Sequence, residues 1–173
     1  TAFFIDSLKT TILSPALDSL YQTKKSNTEI KIGNQYKTEN FNNEISRITS
    51  HFRNNGAYLF QQNYISFDID TINKKNMVGV HMKISDYEYR EGDTSKTKPF
   101  KLYKISGVNI HTDFTPNQSK QEKKDSLRVT YNNFNLFSQG KLKYRPKAIT
   151  NAVFITKGGL FSDYKTTLTS RYL

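Results

Sequence analysis

The motif closest to a reactive site spans residues 67–71, where Asp68 and Asp70 precede Thr71. This is the Asp-x-Asp-x-Thr pattern of aspartate-nucleophile phosphotransferases. Their chemistry needs the first carboxylate at a strand end of a doubly wound sheet, facing Mg²⁺ beside a lysine and further acids. Here the pair leads into a Lys-rich turn at 73–76 and lies late in its structural unit. We therefore predict solvated carboxylates at a strand end, and no enzymatic activity.

The histidines do not form a pattern typical of metal binding. His51, His81 and His111 come from three different predicted elements, and the chain contains no Cys. Metal sites need ligands at helix or loop spacing with a satisfied second layer of contacts. The absence of Cys also excludes thiolate sites, thiol catalysis and disulfides. We predict surface or strand-face histidines and no cofactor.

Two glycine-containing loops precede predicted helices and could be interpreted as anion-binding loops. The first runs from Gly33 to Tyr36 and the second from Gly158 to Phe161. Neither contains the Lys-Ser/Thr pair of a phosphate loop. We predict that both serve turn geometry, each with an aromatic plug.

The chain carries 26 Lys and Arg against 15 Asp and Glu, a formal charge of +11, which suits nucleic acid, anionic lipid or acidic partners. Lysine pairs at 24–25, 74–75 and 123–124 nevertheless lie in polar stretches typical of loops. A basic module for nucleic acid or an anionic surface remains the alternative function. The aromatic residues that could stack on single-stranded nucleic acid near Arg53 are Tyr58, Phe60, Tyr64 and Phe67. We predict packing for Phe67 and Phe60, and no nucleic-acid site.

The elements that would position these residues begin with a helix over 39–54. Phe41, Ile45, Ile48 and Phe52 fall on one helical face. Gly56 follows at once and tolerates the positive φ of a left-handed cap. We expect this helix to pack its apolar stripe on a sheet.

That sheet is predicted from strands at 2–12, 63–70 and 77–84, the last two with a two-residue alternation of apolar and polar residues. Ser14 and Pro15 are a typical helix N-cap and first helical residue. Thr38 and an acidic neighbour begin the second helix. The predicted order is β-α-α-β-β, in an α+β module covering residues 1–86.

Residues 87–98 are polar, end before a proline, and are predicted to be a linker. The second module, 99–173, repeats the plan but ends before its last two strands. Its predicted features are a strand over 100–112 with a bulge at Gly107, a Lys-rich stretch at 115–125, a strand at 127–131, a helix from Pro146, and a helix capped by Ser162 with Tyr164, Leu168 and Tyr172 on one face. No run approaches the roughly 20 apolar residues of a membrane span. The chain starts at Thr without a signal peptide, so we expect an excerpt or a processed form.

At this point the sequence resembles the POTRA repeats of outer-membrane protein assembly factors of the BamA/TamA type, and most of all the TamA-like lipoprotein branch of Bacteroidetes. The stretches that carry the resemblance are 33–36, 44–49 running into 53–60, 64–71, 145–147 and 155–162. Ala57 stands where the family usually has an aromatic residue, and Phe161 where it usually has Tyr.

The resemblance implies tandem POTRA-like modules and a periplasmic scaffold ahead of a membrane β-barrel, at the periplasmic face of the outer membrane. It implies nascent outer-membrane proteins, a TamB-like periplasmic partner and the adjoining barrel of the same parent chain as partners. It gives structural roles to Gly33, Tyr36, Arg47, Gly56, Gly158 and Phe161. Such modules bind extended strands by β-augmentation, in which main-chain hydrogen bonds supply the affinity.

The strand that would accept a partner strand is predicted at 63–70, where Ser66, Asp68 and Asp70 alternate with core residues and keep an open edge soluble. Tyr64 is the fourth candidate for partner binding. The competing edge is 77–84, because both strands alternate and pairing order is not written in the pattern.

Overall fold

The computed structural model describes residues 2–72, 75–113 and 127–173. The chain divides into two compact units, Thr1–Leu102 (unit 1) and Tyr103–Leu173 (unit 2). The predicted Lys-rich stretch at 115–125 and the first two residues of the predicted turn at 73–76 lie outside the described residues.

Unit 1 has the predicted order β-α-α-β-β. Its elements are β1 (Phe4–Ile12), α1 (Pro15–Lys24), α2 (Thr38–Arg53), β2 (Ile65–Asp70) and β3 (Met77–Ile84). The sheet order is β1-β3-β2, with β3 parallel to β1 and antiparallel to β2. A parallel pair needs a crossover connection, which the two helices supply between β1 and β2.

The predicted stripe of α2 forms the centre of the unit 1 core. Ile48 and Phe52 are 1% and 0% exposed, and Phe41 is also buried. The ring of Phe52 meets that of Phe60 edge-on at 5.0 Å between centroids, a favourable aromatic geometry. Gly56 follows the helix with φ of 100°, which confirms the predicted left-handed position.

The N-caps of the two helices differ from the prediction. Ser14 does precede Pro15, but its side chain does not cap the helix. Its hydroxyl donates to Asp86 Oδ1 at 2.5 Å and accepts from the Phe100 N–H at 2.8 Å. Helix α2 is preceded by Lys37 without a side-chain cap, and Thr38 is already its first residue.

Residues 87–98, predicted as a linker, form a two-stranded hairpin of β4 (Tyr87–Glu91) and β5 (Thr94–Lys98). The segment after the hairpin returns to the unit 1 core, where Phe100 is 4% exposed. Its ring lies 4.9 Å from that of Tyr64 and 5.3 Å from that of Phe60. The boundary between the units accordingly falls after Leu102.

Unit 2 contains β6 (Val108–His111), β7 (Leu127–Tyr131), β8 (Phe134–Ser138), α3 (Pro146–Thr150) and α4 (Asp163–Tyr172). Its sheet order is β6-β8-β7, with β8 parallel to β6 and antiparallel to β7. The strand order and directions match those of unit 1, yet the two further strands precede the helices in sequence. One of them, β7, corresponds to the strand predicted at 127–131, and β8 fills a sheet position that the prediction left without a strand.

Unit 2 departs from the prediction in two places. The predicted strand at 100–112 is reduced to β6 and one bridge from Lys104 to Leu160, because Phe100 is held in unit 1. Strand β8 was not predicted at all. The predicted helix and its Ser162 cap are confirmed. On its predicted face, Tyr164 and Tyr172 are more than 60% exposed. The buried position is Thr169, whose hydroxyl accepts from the Phe154 N–H.

The two glycine loops have the same geometry in both units, with Gly33 at φ 88° and Gly158 at φ 81°. Each loop forms backbone hydrogen bonds with the segment that opens its unit. The shared N–H to C=O bonds run from Gly33 to Ile5, from Tyr36 to Phe3, from Gly158 to Ile105 and from Phe161 to Tyr103, at 2.7 to 2.9 Å. Both loops therefore pair through their main chains with the segment that opens their unit.

Candidate functional site: an open sheet edge in unit 1

Strand β2 is a terminal strand of the unit 1 sheet. It pairs with β3, and no strand among the described residues pairs with its other side. Strand β3 lies between β1 and β2, so the competing edge at 77–84 is excluded. Strand β1 is also terminal, but the loop that contains Gly33 already bonds to its first residues.

Two backbone hydrogen bonds at the ends of these strands show which way the backbone groups of β2 and β3 point. The Ser85 N–H donates to the Tyr64 C=O at 3.0 Å, and the Leu13 N–H donates to the Ile84 C=O at 3.4 Å. In β3, the backbone N–H and C=O groups of odd-numbered residues therefore point toward β2, and those of even-numbered residues point toward β1. Antiparallel pairs alternate between hydrogen-bonded and non-hydrogen-bonded.

With the observed register, Ser66, Asp68 and Asp70 bond to β3 through their backbones. The outward-pointing N–H and C=O groups of the edge therefore belong to Ile65, Phe67 and Ile69. An unpaired row of this kind is a template for another strand. Proline at Ser66 would break the ladder to β3, so it does not test the edge.

The side chains of Ser66, Asp68 and Asp70 line the uncovered face of the sheet. The residues beside them are Lys83, His81 and Gly79 on β3, followed by Thr11, Lys9 and Ser7 on β1. Lys83 forms an ion pair with Asp68, and its hydrogen bond keeps the pKa of that carboxyl below the ordinary value. Asp70 Oδ1 accepts from the Ile72 N–H at 3.0 Å. Two carboxylates thus stand in the row nearest the open edge.

The other face of β2 is apolar and packs under α2. Ile65 is buried, while Phe67 is half-buried and meets Phe41 edge-on at 5.0 Å between ring centroids. Ile69 remains 36% exposed at the end of the strand. A strand added to β2 would continue an apolar face on this side and meet the carboxylates on the other.

Tyr64, the fourth predicted partner-binding residue, lies outside β2 in the short 3₁₀ turn Gln62–Tyr64. Its ring packs between Phe60 and Phe100, at 5.8 and 4.9 Å between centroids. It supports the start of β2 instead of lining its edge. Phe60 is fully buried, so it cannot stack on a base.

Arg47 forms a buried ion pair with Glu44, a partner that the sequence did not predict. Its Nε and Nη2 donate to Glu44 at 2.8 and 2.7 Å, and Glu44 is 0% exposed. The Glu29 N–H and the Thr28 hydroxyl also donate to that carboxylate. Burial acts to raise the pKa of Glu44, but these hydrogen bonds outweigh it and lower the pKa below 4.5. The pair fixes the loop between the two helices against α2.

Other kinds of site find no support in the described part of the chain. No group of three or more His, Cys, Asp or Glu residues there could hold a metal ion. His81 shares a hydrogen bond of 2.8 Å with Thr11, and His51 bonds to the Leu20 C=O, so these two are structural. Within the same ranges, no helix has the length and apolar character to cross a bilayer.

Comparisons with known proteins find similarity among solved structures. No family model matches the chain, and no curated protein sequence matches it. POTRA domains 3–5 of Haemophilus influenzae BamA match at 10% identity and a TM-score of 0.43, covering 99% of this chain and 85% of that one. POTRA domains 1–3 of the periplasmic domain of Omp85 from Anabaena match at 9% identity and 0.32, covering 99% and 84%. Because both TM-scores are below 0.5, these matches carry no argument about this chain. Its α+β fold is described from its own strand order.

Proposed function

We propose that this chain is a non-enzymatic scaffold region of an outer-membrane protein assembly factor, acting at the periplasmic face of the outer membrane. The observation that carries the proposal is the open β2 edge, whose outward backbone groups belong to Ile65, Phe67 and Ile69. Extended client or partner strands would add there by β-augmentation. The resemblance of the glycine loops and α2 to POTRA repeats supports this assignment.

The partners follow from the same proposal. Clients are nascent outer-membrane proteins, whose strands are extended before they insert. A TamB-like periplasmic protein and an adjoining β-barrel of the same parent chain complete the set, as in the TamA-like branch of Bacteroidetes. The scaffold needs no cofactor, since main-chain pairing supplies the affinity.

A proline at Ile69 tests the edge directly. It removes an outward N–H and leaves the ladder to β3 intact, and prolines are tolerated on edge strands in this orientation. Ile69→Ala is the matched control, because it removes the side chain and retains the N–H. A photo-cross-linking residue at Ser66, on the exposed face, reports a strand bound beside β2.

The cross-linking is done with a urea-unfolded outer-membrane β-barrel protein diluted onto each variant. We expect adducts with the wild-type edge and with Ile69→Ala, and at least a several-fold loss with Ile69→Pro. Circular dichroism verifies that each variant is folded. Equal capture by a folded Ile69→Pro variant would show that this edge does not bind clients.

A further inference from the structure

The carboxylates beside the open edge determine which strands fit it. In the row nearest the edge, Asp68 and Asp70 follow Ser66 at alternate positions, all on the uncovered face. Lys83 and His81 lie one strand further in, roughly 5 Å away in the pairing direction. An incoming strand therefore meets negative charge first.

The pairing geometry brings an added strand close to these carboxylates. Because Ser66, Asp68 and Asp70 spend their backbone groups on β3, an antiparallel strand would face them in non-hydrogen-bonded pairs. In such pairs the Cα atoms lie only about 4.5 Å apart and the side chains are closer than in hydrogen-bonded pairs. Opposite charges directly across a pair stabilise it, and like charges destabilise it.

From this we infer that β2 selects extended strands that alternate apolar residues with Lys or Arg. The inference rests on the proposed use of this edge and adds the class of strand. The apolar residues would continue the face formed by Phe67 and Ile69 under α2. The basic residues would lie opposite Asp68 and Asp70 on the uncovered face.

The overall charge of the chain does not oppose this selection at working salt. The formal charge of +11 repels a cationic strand at long range. At 0.15 M ionic strength that repulsion is screened beyond about 8 Å, while a directly paired side chain lies well within this distance. The other terminal strand, β1, carries Lys9 in the corresponding central position and would disfavour the same strand.

The test uses three nine-residue peptides with blocked ends, in which Val alternates with Lys, with Thr or with Glu. Each peptide is titrated into the whole chain at 0.15 M salt. Binding at β2 is followed by the NMR chemical shifts of the outward backbone amides of Ile65, Phe67 and Ile69. Two pairs at cross-strand strength predict that the Lys peptide binds about 2- to 30-fold more tightly than the Thr peptide. The Glu peptide should bind more weakly than the Thr peptide by a similar factor.

Three variants separate edge charge from other effects. Asp68→Lys combined with Lys83→Asp keeps an ion pair on the sheet but exchanges which charge lies at the edge, and it should abolish the preference for the Lys peptide. Asp68→Asn with Asp70→Asn does so with minimal change in shape, should the exchange fail to fold. Lys9→Glu lies on β1 and should leave the ranking at β2 unchanged.

Each outcome distinguishes the two proposals. If all three peptides shift the β2 amides with equal affinity, the edge binds strands and the charge selection is overturned. A preference for the Glu peptide overturns it as well. If no peptide shifts β2 amides, the proposed function at this edge is contradicted too.

Discussion

Phe100 lies beyond residues 1–86, which were expected to form the first module. Removing its side chain should lower the stability of unit 1. The ring is 4% exposed and contacts the rings of Phe60, Tyr64 and Tyr87, at 4.9 to 5.7 Å between centroids. Truncation of a buried Phe to Ala costs about 3–5 kcal/mol, from lost transfer energy and the cavity left behind. We therefore expect Phe100→Ala to lower the free energy of unfolding of unit 1 by that amount.

The assay follows NMR cross-peaks of α2 and β3 during urea unfolding, because two units need not unfold together. With a urea slope of about 1–3 kcal/mol/M, the midpoint should fall by at least about 1 M. Phe3→Ala is the matched control, since Phe3 belongs to unit 1 and is 40% exposed. If Phe100→Ala shifts the midpoint no further than Phe3→Ala, the ring does not contribute to this core. We also expect a fragment of residues 1–86, which lacks Phe100 and the hairpin, to be less stable than a fragment of residues 1–102.

Three further substitutions test the ion pair and the helix cap of unit 1. Arg47→Met should cost about 3–5 kcal/mol in urea unfolding, because it leaves the buried Glu44 carboxylate unpaired, and adding Glu44→Gln should recover part of the loss. Since the folded-state pKa of Glu44 is lowered, its contribution is present above the unfolded value and is lost as the pH falls through the folded one. Stability measured from pH 7 to pH 3 should fall more steeply for wild type than for Glu44→Gln, and parallel curves would contradict this. Gly56→Val should lower the thermal melting temperature, because φ of 100° strains a β-branched residue; a higher melting temperature would exclude the cap.

Periodicity predicted the parts of the fold in which one pattern covers a whole element. The stripe of Phe41, Ile48 and Phe52 gave α2, and two-residue alternation gave β2 and β3. Alternation could not tell which of those strands is terminal, since pairing order depends on β1, far away in sequence. The partner of Arg47 was missed because a Glu three residues earlier on a helix usually faces solvent.

The remaining errors come from contacts between residues distant in sequence. Ser14 has the type and position of an N-cap, but its hydroxyl is used by Asp86 and Phe100. Nothing near residue 14 in the chain indicates that. Strand β8 was preceded by a local signal in the sequence, the pair Asn132 and Asn133. Both residues adopt positive φ, at 47° and 66°, as two-residue hairpin turns require.

The order of strands and helices along the chain differs between the two units, and this order affects how each unit folds during synthesis. In unit 1, Phe4 pairs with Met77, so the parallel contact waits until both helices have emerged. In unit 2, Val108 pairs with Phe134, before either helix begins. Loop closure over shorter stretches is faster, and chains fold as they emerge. All three strands of the unit 2 sheet have emerged by Ser138, before α3 begins at Pro146. We therefore expect this sheet to form first and its helices to pack on it afterwards.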